Sequence, residues 1–450
     1  MSLGHSDCQF MIRVLFISYL FPPTGGTGVQ RSQKFVQYLP DEGFLPVVVA
    51  GPSSREDRWA PIDLTMSDKV KSNIPVHRIV SSPLAAPSRL RARMERWLGV
   101  KSEFENWWVR SATKLSCRVA HDCSLIFATM SPFESAAVAS EVSRRIGIPW
   151  VADLRDPWAL DDIQIYPSRL HRAFEMGKME RLLSTAAVTI MNTPAAAEAV
   201  KKAFPGLQEE TILSITNGFD AEDFRETVTP RTDGKFRIVH SGGMFTDSGL
   251  QLRTRNFYRT LGGVEPGVDI MTRSPEYLLK AIEQWTNRHP SIGEDLQIIF
   301  AGTTTAEDRA LVSKTKASRF VQFPGFLSHD ASLQLIRTAD LLFLPMHNLP
   351  QGQQCRSIPG KTYEYIASGR PILAAVPDGD AREFLSRCGT GLLCRPDDVE
   401  GMVEILNRIY TAWRKKQGCV QLNLDYISRF ERRALTHDLA DVFRATLGKR

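Results

Sequence analysis

The chain alternates short apolar runs with longer amphipathic stretches, and the alternation restarts once past residue 235. Residues 13–19, 46–50, 124–130, 149–154, 187–191 and 211–216 are rich in β-branched and aromatic side chains and stop at Gly, Pro or Asn turns, so they read as strands. Helical spacing falls between them, from a Gly-rich turn to residue 39 and over 133–145, 169–184 and 195–204. A second series follows, with strands at 236–241, 296–301, 321–323, 341–345 and 372–376. Its helices start at Arg273 and cover 331–338 and 399–417, and a long amphipathic helix occupies 422–447. Strand and helix in regular turn predict an α/β protein of two doubly wound, Rossmann-like domains. The polar stretch 225–235, with Pro230 and Gly234, is the expected linker between a first domain at 1–224 and a second at 236–420, with a terminal helix at 421–450. Residues 246–272, rich in Arg, Gly and polar side chains, interrupt the second series and read as an inserted loop. No internal repeat or low-complexity segment competes with this division.

Composition narrows the class. With 450 residues, 43% hydrophobic and 24% charged, the chain can bury two full cores and reads as globular. No run of roughly 18 apolar residues occurs, so no transmembrane helix is expected. Residues 12–20 read as a first strand and not as a leader peptide. The seven cysteines are scattered, with neither Cys-x-x-Cys nor His-x-x-x-His spacing. Neither a disulfide framework nor a zinc site is therefore expected, and the protein reads as reduced and cytoplasmic. A net charge of +6 is mild and suits phosphate-bearing substrates or an anionic membrane surface as well as nucleic acid.

Residues 86–119 differ in character. Arg89, Arg91, Arg93, Arg96, Lys101, Arg110, Lys114 and Arg118 alternate with Trp97, Phe104, Trp107 and Trp108. Two readings stay open: an interfacial helix on an anionic membrane, or an ordinary amphipathic helix with a solvated basic face.

Candidate chemistry gathers at the ends of the expected strands, where open α/β sheets place ligands. The first strand runs into Thr24-Gly25-Gly26-Thr27-Gly28-Val29-Gln30-Arg31. Arg31 stands where a dinucleotide fingerprint needs its third glycine, and the second strand ends in Ala50-Gly51 without an acid, so NAD is disfavoured. The strand 149–154 ends in Asp153-Leu154-Arg155-Asp156-Pro157-Trp158, two carboxylates and an arginine on one turn. They are either a site or a cap with an internal ion pair. In Ile358-Pro359-Gly360-Lys361-Thr362-Tyr363-Glu364, a Pro-Gly turn opens a helix that stops at Gly369. The turn would offer backbone N–H groups and Lys361 to an anion, with Glu364 one turn on to accept hydrogen bonds from hydroxyls such as those of a ribose. The plain alternative is a capped helix with two solvated charges.

The 357–374 run resembles the sugar-nucleotide-binding segment of the family 4 (group 1) retaining glycosyltransferases, which have the GT-B fold of two Rossmann-like domains facing across a cleft. Glu364 matches the second glutamate of that family's pair, while Arg356 stands where the first would fall, a departure that Lys361 would partly make good. The Pro-Pro and Gly-rich turn ending in Gly26 and Gly28, the Asp-x-Arg-Asp-Pro-Trp turn of the polysaccharide and lipid-linked-glycan type, and the Asn217-Gly218-Phe219-Asp220 turn are similar to further family segments. Gly242-Gly243 and, beyond the insertion, Arg273 match the family's glycine turn and phosphate clamp. The resemblance implies transfer of a sugar from a UDP- or GDP-linked donor to a glycan or lipid-linked acceptor, with retention of configuration. It implies Lys361 and Arg273 on the diphosphate, with Asp153, Arg155 and Asp156 at the acceptor. No metal is expected, since no Asp-x-Asp pair stands near the donor, and no cofactor or nucleic acid. The terminal helix would cross back to the first domain, and the site of action would be the cytoplasm or the inner face of the membrane. Two other readings remain: a nucleotide-sugar epimerase of GT-B fold, and a non-catalytic nucleotide-sugar-binding subunit.

Overall fold

The structure, a computed structural model, describes residues 11–52, 62–66, 70–79, 97, 102–254 and 257–448. Seven strands form the first sheet: β1 (Ile12–Ser18), β2 (Phe44–Ala50), β3 (Val76–Arg78), β4 (Leu125–Met130), β5 (Trp150–Leu154), β6 (Val188–Met191) and β7 (Ile212–Ser214). They are parallel, in the order β3-β2-β1-β4-β5-β6-β7. Every residue of β4 is buried, because helices cover both faces of the sheet. The second sheet repeats the plan with β8 (Phe236–Ser241), β9 (Leu296–Ala301), β10 (Val321–Gly325), β11 (Leu341–Pro345), β12 (Ile372–Ala375) and β13 (Gly391–Cys394), in the order β10-β9-β8-β11-β12-β13. These two parallel α/β domains make the GT-B fold. In each sheet the strand order reverses beside the first strand, between β1 and β4 and between β8 and β11. Each reversal opens a crevice at the carboxyl ends of the strands.

Two expectations are corrected. The single helix over 422–447 is two, Leu424–Ser428 and Arg432–Gly448. The break is where the chain passes from one domain to the other. There Phe219 N–H donates to the Phe430 carbonyl (3.1 Å) and Arg432 N–H to the Phe219 carbonyl (2.9 Å). Gly218 is required at this crossing, since a Cβ would strike the Phe430 carbonyl. Leu435, Leu439, Ala440 and Phe443 then complete a first-domain core with Val14, Phe16 and Phe127.

The described residues of the inserted segment, 246–254 and 257–272, are folded and not a loop. They contain helices Thr246–Thr254 and Phe257–Thr260 and a 3-10 turn at Ile270–Arg273. Leu252, Tyr258, Val264, Val268 and Ile270 are buried in the second domain. The segment also clasps the first domain. Tyr166 N–H donates to the Gly263 carbonyl and Arg169 N–H to the Leu261 carbonyl, each at 2.8 Å, and Arg172 pairs with Glu265 at 2.8 Å. Apolar spacing too irregular to read as a helix is supplied here by residues serving two domains at once.

Of the basic stretch 86–119, residues 86–96 and 98–101 lie outside the described residues. The described helix Glu103–Val119 buries Trp108 edge-on to Tyr19, ring centroids 4.9 Å apart, and exposes Arg110, Lys114 and Arg118. No described helix is long and apolar enough to cross a membrane.

Candidate active site

Gly26 (φ 91°) opens the first helix, Thr27–Tyr38, at the carboxyl end of β1. Gly28 lies against Arg155, whose Nη1 a Cβ at residue 28 would meet at 2.9 Å. Arg155 donates to the carbonyls of Met130 (Nε, 2.6 Å), Ser131 (Nη2, 3.1 Å) and Gly28. Asp153 is wholly buried and accepts from Arg31, at 2.7 Å from Nη2 and 3.2 Å from Nε. Arg31 also donates to the carbonyls of Ile215 (2.9 Å) and Thr216 (2.5 Å). Asp153 and Arg155 thus tie the Gly-rich turn to β4, β5 and the end of β7; their polar atoms hold the wall of the cleft and do not present charge to it. Asp156, next in sequence, is exposed.

The opposite wall carries the cations. Lys361 begins the helix Lys361–Ala367, and its Nζ lies 2.9 Å from His240 Nε2 at the end of β8. His240 Nδ1 faces the Phe343 carbonyl at 3.0 Å, so Nδ1 carries the proton and Nε2 accepts from the ammonium. Burial, and then the Lys361 charge, hold His240 well below its ordinary pKa. Burial, then the nearby Arg273, push Lys361 well below the usual ammonium range. Arg273 is lowered by burial, and its Cζ lies over the Phe245 ring, 4.1 Å from the centroid. Among the described residues neither cation forms an ion pair. Two half-buried, mutually repelling cations make a place for an anion. Gly242 is needed beneath them: its φ is 111°, and a Cβ there would stand 2.7 Å from Lys361 Nζ. Gly243 follows with open space beside it, the Thr303 carbonyl being 4.0 Å from a built Cβ.

The helix start itself offers fewer free N–H groups than its sequence implies. Gly360 has ordinary helical φ (−55°), and the N–H groups of Thr362 and Tyr363 already bond the carbonyls of Pro359 and Gly360. The Lys361 side chain carries the charge there.

Glu364 is buried and reaches across to the first domain, where it accepts from Gln30 Nε2 at 2.9 Å. His329 Nδ1 is 3.9 Å away. Arg432, of the returning helix, is held down to about 10 by burial, against the favourable charge of Glu364. Glu364 therefore sits where three elements of both domains meet, with Lys34, Asp223 and Phe219 lining the same hollow. Arg356, standing where the resemblance puts a glutamate, binds the first domain through the Leu160 carbonyl (2.8 Å) and Asp162 (3.3 Å).

Several residues escaped the sequence. His240 is the one imidazole in an apolar strand, a signal that could have been read; Arg31 was noted only as the wrong residue for a dinucleotide turn. Asp161, half-buried, is pushed up to about 6 by burial and then by Asp156. The charges of Asp161 and Asp156 act on Arg273 from across the cleft. A second hollow, between the ends of β8, β9 and β10, is lined by Gly242, Met244, Gly302, Thr303 and Phe323.

Residues 270–412 match the model of the family described as glycosyl transferases group 1. No curated protein matches the chain in sequence. Among solved structures it is similar to HepE of Anabaena in complex with UDP, at 17% identity over 97% of this chain and 100% of that one, TM-score 0.59. It is similar also to sucrose-phosphate synthase of Thermosynechococcus elongatus (14% identity, 98% and 100% covered, TM-score 0.64). A putative UDP-N-acetylglucosamine 2-epimerase of Listeria monocytogenes shares the fold as well (10% identity, 98% and 98% covered, TM-score 0.55). At these identities the likeness speaks to fold, whereas the family match speaks to the second domain. The chain is a two-domain protein of GT-B fold whose second domain matches the group 1 glycosyl transferase model over residues 270–412.

Proposed function

We propose that the protein is a retaining glycosyltransferase of the family 4 type that moves a hexosyl group from a nucleotide-sugar donor to a glycan or lipid-linked acceptor. The observation that carries this reading is the pair of half-buried cations, Lys361 and Arg273, which lack an ion-pair partner among the described residues. In this assignment the diphosphate lies between them, the ribose reaches Glu364, and the base enters the hollow beside Met244 and Phe323. HepE, of similar fold, was solved with UDP, which favours a uridine donor over a guanosine one. The bond from the anomeric carbon to the diphosphate breaks as the bond to the acceptor oxygen forms. Negative charge then grows on the leaving diphosphate, where Lys361 and Arg273 meet it without a metal ion at that point. Asp156, exposed on the facing wall, is assigned to the acceptor hydroxyl, while Asp153 and Arg155 position the wall. Retention of configuration rests on the resemblance around Glu364.

Peripheral contact with the cytoplasmic face of a membrane belongs to the same reading. It is supported by Leu170 and Phe174, 78% and 61% exposed and one turn apart on the helix Arg169–Leu183, whose Lys178 meets Glu105 of the helix Glu103–Val119 at 3.1 Å. His171 of that helix meets the Trp97 carbonyl at 2.9 Å.

Mass spectrometry of nucleotide sugars retained through purification, followed by transfer assays with the sugar identified, tests the proposal. Sugar appearing on an acceptor with release of the nucleoside diphosphate supports it. Nucleotide released with no acceptor consumed points to an epimerase, and tight binding without turnover to a non-catalytic subunit.

A further inference from the structure

Asp162, His347 and Cys355, which the proposed transfer leaves unused, converge where the two domains meet. They are 1%, 0% and 1% exposed. His347 Nε2 is 3.5 Å from Cys355 Sγ and 3.9 Å from Asp162 Oδ2, and the three ligand atoms all lie within 4.8 Å of one another. At 3.9 Å the imidazole and the carboxylate are too far apart for a hydrogen bond. The ring finds no partner elsewhere, because His347 Nδ1 is buried without one. Asp162 Oδ1 also lacks a hydrogen bond, its contact being the 3.3 Å ion pair with Arg356. A carboxylate, an imidazole and a thiol thus face one point, joined there only by the 3.5 Å thiol–imidazole hydrogen bond, with His347 Nδ1 and Asp162 Oδ1 left over.

A tetrahedral ion explains that arrangement. With bonds of about 2.3 Å to sulfur and about 2.0 Å to nitrogen and oxygen, it holds S and N about 3.5 Å apart and N and O about 3.3 Å apart. The Sγ–Nε2 edge already has that length; the carboxylate must close by about half an ångström towards Nε2, and its edge to Sγ, within 4.8 Å, must come to about 3.5 Å. The donor set of one sulfur, one nitrogen and one oxygen suits a borderline-soft cation of the zinc class and is wrong for calcium or magnesium, which want oxygens. Ser357 Oγ, 3.6 Å from Cys355 Sγ, or a water supplies a fourth ligand.

The frame around these residues is stiff. Cys355 N–H donates to the Asp378 carbonyl at 2.8 Å, and its backbone lies so close to Gly379 that no Cβ fits between them. Met346, beside His347, bonds Ala375 at 3.0 Å and Thr272 at 2.9 Å. Asp162 Oδ2 accepts from Arg356 N–H at 3.2 Å. A site held by its surroundings need not be assembled by the ion. We propose that Asp162, His347 and Cys355 bind one zinc-class divalent cation, which fastens the first domain to the second. The site is independent of the sugar-transfer reading.

The test uses the full-length chain stripped with chelator and titrated with cobalt(II), then zinc(II). One cobalt per chain is expected, with thiolate-to-cobalt charge-transfer absorption and the intense visible bands of a tetrahedral ion, both removed by one equivalent of zinc. Cys355→Ala and His347→Ala should each lower affinity more than about 100-fold, beyond the loss known for partners one shell further out. Cys8→Ala and Cys419→Ala should bind as the wild type. Failure to bind one equivalent, or charge-transfer bands that survive Cys355→Ala, overturns the proposal. Should the site variants not fold, zinc X-ray absorption on the wild type decides: one sulfur in the first shell supports the site, and none or several sulfurs overturn it.

Discussion

Lys361 Nζ stands 2.9 Å from His240 Nε2, over a glycine whose missing Cβ is what lets it lie there. The ammonium donates to a neutral ring, and burial, then the like charge of Arg273, disfavour its charged form against the opposite pull of Glu364. A bound diphosphate would reverse that balance. Because the pKa of Lys361 is depressed in the free protein and anion binding raises it, nucleoside diphosphate binding should take up protons and should weaken as pH rises through the depressed pKa. Calorimetry of UDP binding in buffers of different ionisation heat measures this uptake. Lys361→Met should abolish it, and a wild type that binds with no proton exchange at any neutral or alkaline pH would remove Lys361 from the clamp.

Loss of the cation should be felt in the chemical step. Lys361→Ala is expected to cut turnover by about 10²–10³-fold, as for loss of one transition-state donor. Gly242→Ala should act in the same direction by displacing the ammonium, and should also strain the backbone at φ 111°. Steady-state transfer rates check both. Wild-type rates in Lys361→Ala would leave the proposed function without its carrying residue.

Glu364 is engaged by Gln30 in the structure, so donor binding must compete with that hydrogen bond. Glu364→Gln should weaken UDP-sugar binding by about 1.5–3 kcal/mol, the worth of a hydrogen bond to a charged group. Gln30→Ala frees the carboxylate and should leave donor affinity equal or tighter. Titration calorimetry distinguishes the two, and a Glu364→Gln protein of unchanged affinity would move the ribose elsewhere.

Two neighbouring carboxylates should behave oppositely. Asp153→Asn leaves the Arg31 charge buried and unmatched, so it should cost about 3–5 kcal/mol of stability and lower Tm. Asp156→Asn, at an exposed position, should leave Tm unchanged and impair transfer at constant donor affinity. A Tm loss in Asp156→Asn with normal transfer would return that residue to the scaffold.

The membrane reading rests on the exposed pair Leu170 and Phe174 and on the basic composition of residues 86–119. The protein should sediment with anionic vesicles at low salt and release as salt rises. The Leu170→Ser, Phe174→Ser double variant should bind several-fold more weakly. Equal partition onto neutral and anionic vesicles would leave 86–119 an ordinary amphipathic segment.

Sequence alone determined the two-sheet architecture and much of the cation wall. Alternating apolar runs and helical spacing report burial within a single element, and that information is local, so β8, β11 and the helix carrying Lys361 and Glu364 were all legible. Gly242 and Arg273 were legible by resemblance, once residues 246–272 were set aside. Tertiary structure decided whatever depends on a partner distant along the chain. Asp153 read as part of a site or of a cap paired within its own turn until the fold placed Arg31, 122 residues earlier, against it. The apolar spacing of 422–447 gave no hint of its break, because the hydrogen bonds that cause it belong to Phe219. Asp162 stands far from His347 and Cys355 in sequence, so no ligand spacing existed to be found. Periodicity records that a side chain is covered; only the packing of one domain on the other determines what covers it.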